Sequence, residues 1–129
     1  MSQIKKITVN GQQYNMVQAS AIQQRTLMSL VGAQVAFNSA NSQTKQIDKT
    51  LIKGLMLALP ESTLIEVSDI ILHQTAINGS KDGLVTVESF QGKINSYFDL
   101  LAEGLVANLA DFFSWLDSEN AETAKLNQM

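Results

Sequence analysis

Ser89–Leu116, SFQGKINSYFDLLAEGLVANLADFFSWL, is the stretch that decides the fold. It holds four of the five Phe residues, the only Trp and one of the two Tyr. Tyr97, Phe98, Leu101, Leu105, Leu109, Phe112 and Leu116 recur at helical spacing and form one broad apolar stripe. The spacing predicts one long helix over roughly Ile94–Leu116. Such a stripe must be buried, and burial in the domain's own core is favoured over burial on a partner. The helix closes on Asp111-Phe-Phe-Ser-Trp-Leu116, where large aromatics at an element's end suit a binding surface. Phe112, Phe113 and Trp115 are therefore candidate partner-binding residues, and Phe37 joins them as an aromatic anchor in a polar loop.

Outward from that helix, Ile4–Val17 carries the clearest local signal. Two short runs, IKKITV and QQYNMV, flank Asn10-Gly11, a pair that tolerates positive φ and suits a two-residue hairpin turn. Ile7, Val9, Tyr14 and Met16 share one face across the pair. A lone hairpin is marginal in water, so this one should pack on a helix.

Ser20-Ala-Ile-Gln23 fits a capping box and predicts a helix starting near Ser20. Ile22, Leu27, Leu30 and Val31 form its expected apolar side, with Gly32 as a stop or kink. Gly32–Thr44 is small and polar and is expected to be a loop, anchored by Val35 and Phe37. A further helix is expected over Asp48–Leu59, with Ile47, Leu51, Ile52, Leu55, Met56 and Leu59 inward and Lys45, Lys49 and Lys53 solvated. Pro60 ends it and suits the first turn of the next, Glu61–Leu72, with Leu64, Val67 and Ile71 inward. Between Thr75 and Val87, two Gly and the β-favouring run Leu-Val-Thr-Val predict a turn and a short strand.

The expected architecture is thus mainly α (small α+β), an N-terminal β-hairpin packed on a bundle of about four helices. Its 129 residues, 45% of them hydrophobic, suffice for one domain with a real core. We assign residues 1–117 to that domain and 118–129 to a polar, disordered tail. Without Cys, disulfides and thiolate metal sites are excluded. The N-terminus lacks the apolar run of a signal peptide, and no window is long and apolar enough to span a membrane. A soluble cytoplasmic protein with no membrane partner is expected.

Charge is unevenly placed. Residues 1–53 carry six basic side chains and one acid, whereas 94–129 carry six acids and one base. With one Arg, and most aromatics in the acidic half, nucleic-acid binding is not expected. Attraction between the two halves within one fold is favoured over head-to-tail attraction between copies, although a homo-oligomer stays open.

No constellation points to catalysis. Asn78-Gly-Ser-Lys-Asp-Gly83 resembles the first half of a calcium loop, but its twelfth position is Ser89 and Glu88 falls one residue short. His73 is the only histidine and has no carboxylate at i, i+4, so a helix-terminal role outweighs metal binding. Phosphate-loop, nucleophile-elbow and Ser/His/Asp signatures are missing. Neither metal nor cofactor is expected, and the protein is expected not to be an enzyme.

The order of elements resembles a known family. The opening ITVNGQQYNM (Ile7–Met16), the Leu-Pro joint in GLMLALPESTLIEVSDIIL (Gly54–Leu72) and VTVESFQGKINSYFDLLAEGLVANLADFFSWL (Val85–Leu116) together look like the tail assembly chaperones of long-tailed bacteriophages and prophages. The likeness covers roughly residues 4–117 and is most specific at Phe90-Gln-Gly92 and Asn108–Trp115. It implies a non-catalytic scaffold in the host cytoplasm, absent from the mature virion. Such proteins bind the tape measure protein, keep it soluble and yield as tail tube subunits polymerise. A longer frameshifted form that engages the tail tube protein is also implied. Two alternatives share the composition: a structural tail or head–tail component retained in the virion, and a small host protein-binding module.

Overall fold

The computed structural model describes residues 4–36, 49–73, 75–77, 84–116 and 118. Phe37, most of the expected 32–44 loop, the polar turn at 78–83 and the tail beyond residue 118 lie outside the described residues.

Strands β1 (Ile4–Val9) and β2 (Gln12–Val17) form the expected antiparallel hairpin, with Val9 opposite Gln12 and Ile7 opposite Tyr14. Asn10 and Gly11 take φ of 49° and 85°, the two positive values that a type I′ turn demands. That register puts Ile7, Val9, Tyr14 and Met16 on one buried face. A third strand, β3 (Thr75–Ile77), pairs antiparallel with β2, giving the sheet order β1-β2-β3.

Helix α1 (Ala21–Leu27) starts at the predicted box: Gln23 N–H donates to Ser20 Oγ at 3.2 Å, and Ser20 N–H donates to Gln23 Oε1 at 3.3 Å. Gly32 does not stop the helix. The chain continues through a π-helical segment, Met28–Gly32, and stays helical over 33–36. The driving force is visible in Leu27, Val31 and Val35, all fully buried. Ile22, expected inward, is instead exposed.

Helix α2 (Lys49–Ala58) buries Ile52, Leu55 and Met56, with Leu59 just beyond it. Pro60 serves as the N-cap of α3 (Glu61–Leu72), one position earlier than expected; its carbonyl accepts from Leu64 N–H at 2.9 Å. Val67 and Ile71 face inward as read, with Leu64 half-buried. The expected strand at Leu-Val-Thr-Val is only an isolated bridge from Leu84 to Ala76, with Val85 N–H donating to Thr75 carbonyl at 2.9 Å. The chain then turns at once into a short 3-10 helix, Val87–Phe90, capped by Thr86. That turn leaves the run no length to pair.

Helix α4 (Ile94–Asn108) is the hub, packing on α2, α3, β1 and the 3-10 helix. It meets α3 and β2 at a pinch point: a Cβ built on Gly104 would lie 2.4 Å from Ile71 Cγ2 and 2.9 Å from Met16 Cε. Tyr14, Phe90 and Tyr97 form a ring chain with centroids 6.2 and 5.7 Å apart, joining β2, the 3-10 helix and α4. Lys53 pairs with Asp99 at 2.9 Å, an attraction between the basic and acidic halves.

The long helix is not continuous. Leu109, at φ −121° and ψ 32°, leaves the helical region, and helix resumes over 110–116. Asn108 explains the break. Its buried side chain donates from Nδ2 to Gly104 carbonyl at 2.8 Å and accepts at Oδ1 from Ala19 N–H at 2.7 Å. Side-chain bonds of this kind compete with the helical ladder. The stripe is nonetheless internal: Tyr97, Leu101, Leu105, Leu109 and Leu116 are buried, with Phe98 and Phe112 partly so. The fold is mainly α with a small antiparallel sheet, as expected.

Candidate functional site

The break at Leu109 reorients the last turns against α1 and opens a groove of about 550 Å³ between them. One wall is a face of α1, Ala21, Gln24, Arg25 and Met28. The other is Asn108, Asp111, Phe112 and Trp115, which repeats the same i, i+3, i+4, i+7 spacing; buried Leu109 also lines it. The Asn108–Ala19 hydrogen bond holds the starts of both walls together.

Of the candidate residues, Phe112 and Trp115 meet in this groove, rings stacked at 6.1 Å and 26°. Trp115 is 56% exposed, the largest apolar side chain so presented among the described residues. Keeping an indole in water forgoes burial that a partner can recover. Phe113 turns the other way. It is 6% exposed and belongs to the hydrophobic core, its ring 5.6 Å from that of Phe112. Phe37 lies outside the described residues. The α1 wall was missed by sequence reading, because Gln24, Arg25 and Met28 look like an ordinary solvated face until the final turns pack beside them.

Another cleft, of about 490 Å³, lies between Ser68, Asp69, Leu72 and His73 on one side and Leu84, Val85, Thr86 and Val87 on the other. A cavity of about 300 Å³ beside the hairpin turn is lined by Asn10, Lys53, Asp99 and Glu103. Its polar groups are engaged: Lys53 pairs with Asp99 at 2.9 Å and donates from Nζ to Asn95 Oδ1, and Asn10 Nδ2 donates to Ser96 Oγ at 2.7 Å. Burial raises the Tyr14 phenol above the usual 10.0. Among the described residues, no three His, Cys, Asp or Glu side chains gather where they could hold a metal ion. No described helix is long and apolar enough to cross a membrane.

Compared with family models, the chain matches the one described as phage tail assembly chaperone protein, TAC, over residues 10–120. It belongs to the phage tail assembly chaperone family. No curated protein and no solved structure gives a match.

Proposed function

We propose that this chaperone acts without catalysis on the tape measure protein, holding its helical, apolar segments soluble in the host cytoplasm until tail tube subunits displace it. Absence from the mature virion follows from that displacement, and a longer frameshifted form would bring in the tail tube protein. The observation that carries the reading is the Phe112–Trp115 stack, left half in water on the wall of an open groove. A transient holder needs apolar surface, moderate affinity and ready release, and an open groove with a part-exposed aromatic pair suits that need.

Co-expression tests it. The tape measure protein should be more soluble with this chain than without it, and the two should copurify. Trp115→Ala should weaken copurification while leaving the far-UV spectrum intact, since the indole is largely outside the core. A tape measure protein equally soluble alone, or this chain stoichiometric in finished particles, would overturn the reading.

A further inference from the structure

We propose that the groove between α1 and residues 108–115 takes one amphipathic helix of the client, and that Arg25 and Asp111 decide which way round that helix lies. The inference rests on the client reading above and adds to it a binding mode and a polarity.

The first ground is the shape of the walls. Ala21, Gln24, Arg25 and Met28 lie on one helical face, and Asp111, Phe112 and Trp115 lie on one face of the helix that resumes over 110–116, with Asn108 standing before the break at Leu109. The lined stretch on the α1 side runs seven residues, about 10 Å at helical rise. Two helix faces side by side leave between them the furrow that a third helix fills by ridge-into-groove packing. An extended strand would leave half its side chains without a matching recess. The apolar surface is supplied by Met28, Leu109, Phe112 and Trp115, and Met28 adds a thioether that adapts to varied side chains.

The second ground is charge. Arg25 stands exposed on one wall and Asp111 exposed on the other, each near mid-length of the furrow. Neither makes an ion pair among the described residues; Asp111 Oδ1 accepts only from the backbone N–H of Phe112, at 2.7 Å. A helix seated with its apolar seam down therefore meets positive charge on one flank and negative charge on the other. A client helix with acids on one flank and Lys or Arg on its other flank satisfies both. Turning that helix end for end exchanges its flanks and sets like charges together. Opposite charges on the two walls thus read direction, which apolar contact alone cannot do.

Trp115, the only tryptophan, lies at the far end of the furrow from Asn108 and serves as the reporter. The probes are synthetic helical peptides of about four turns with a Leu/Ala seam, one bearing Glu on the left flank and Lys on the right, its twin with the flanks exchanged. Each carries a fluorescence quencher at either the N- or the C-terminus. Unlabelled peptide should shift Trp115 emission to the blue. With labels, one terminus of the first peptide should quench Trp115, and the opposite terminus of the twin should do so. A peptide with Glu on both flanks should bind roughly three- to tenfold more weakly at low salt, one attraction having become a repulsion. In the Arg25→Gln/Asp111→Asn double variant, which keeps an acceptor for Phe112 N–H, both termini should quench equally.

If the same terminus quenches with both peptides, the charges do not set direction and the proposal fails. It also fails if no peptide shifts the emission, or if the protein's own concentration produces the shift, which would make a second copy the occupant. Copurification of the tape measure protein with the wild-type chain separates the two readings. If it persists while peptides ignore the groove, the chaperone role stands and the groove assignment falls.

Discussion

Gly104 and Gly54 offer the same substitution with opposite outcomes. Both sit inside helices, where Gly→Ala gains up to about 1 kcal/mol from backbone entropy. At Gly54, exposed in the middle of α2, a new Cβ meets nothing within 4 Å, so the gain should be kept. At Gly104 the new carbon would sit 2.4 Å from Ile71 Cγ2 and 2.9 Å from Met16 Cε, whereas carbon atoms pack at about 3.5–4.0 Å. Ile71 is β-branched within a helix, so its Cγ2 cannot swing aside without leaving its preferred rotamer. Ile71 and Met16 are each only 1% exposed, leaving no slack toward solvent. Helix α4 must then back away from α3, an overpacking cost of roughly 2–3 kcal/mol. Net of propensity, Gly104→Ala should lose about 1–2 kcal/mol and Gly54→Ala should gain up to about 1. The two melting temperatures should differ by roughly 8–12 °C for a chain of this size. Circular-dichroism melts measure this directly, with urea midpoints at constant m as the check. A Gly104→Ala protein melting level with or above Gly54→Ala would refute the pinch point.

Phe113→Ala should cost about 3–5 kcal/mol in urea unfolding, whereas Trp115→Ala should cost under about 1, because the first side chain is core and the second half in water; comparable losses would contradict the placement of the final turns. Asn108→Ala removes the acceptor of Ala19 N–H, and a loss of about 1–3 kcal/mol is expected from the same measurement. Lys53→Met should change stability by less than about 1 kcal/mol, since both partners of its ion pair are over a quarter exposed, and the difference should shrink in high salt. Alkaline stability should depend on Tyr14. Its folded-state phenol ionises above 10.0, so as pH rises through that value the unfolded chain loses the proton first and stability falls. Tyr14→Phe should flatten that fall, and an unchanged alkaline slope would exclude Tyr14 as its source.

The parts of the fold legible in the sequence are those set by neighbours along the chain. Asn10-Gly11 specified its turn, Ser20 and Gln23 their box, and Pro60 the joint between α2 and α3. What was illegible depends on residues far apart. The break at Leu109 comes with a hydrogen bond from Ala19, 89 positions before Asn108, which no local pattern contains. Phe113 groups with Trp115 by nearness in sequence alone: two positions apart, they point to opposite sides of the final turns, Phe113 inward with Leu109 and Leu116, and Phe112 and Trp115 toward the groove. Likewise β-propensity marked Leu-Val-Thr-Val, yet the strand formed at Thr75–Ile77, where β2 had a free edge.

The π-helical turn at Met28–Gly32 has a consequence for chain length. Four residues of an ordinary α-helix overshoot one turn by about 40°, so Leu27, Val31 and Val35 would fan across about 80°. All three are buried, because the wider turn absorbs the excess and acts as a phase correction. Deleting a single residue from this segment would restore regular winding and leave the following turn facing nearly the same way, because the π turn holds one residue more than an α turn. Val35 would stay on the buried side. The same deletion in the regular turns of α1 would instead rotate the turns after it by about 100° relative to those before it.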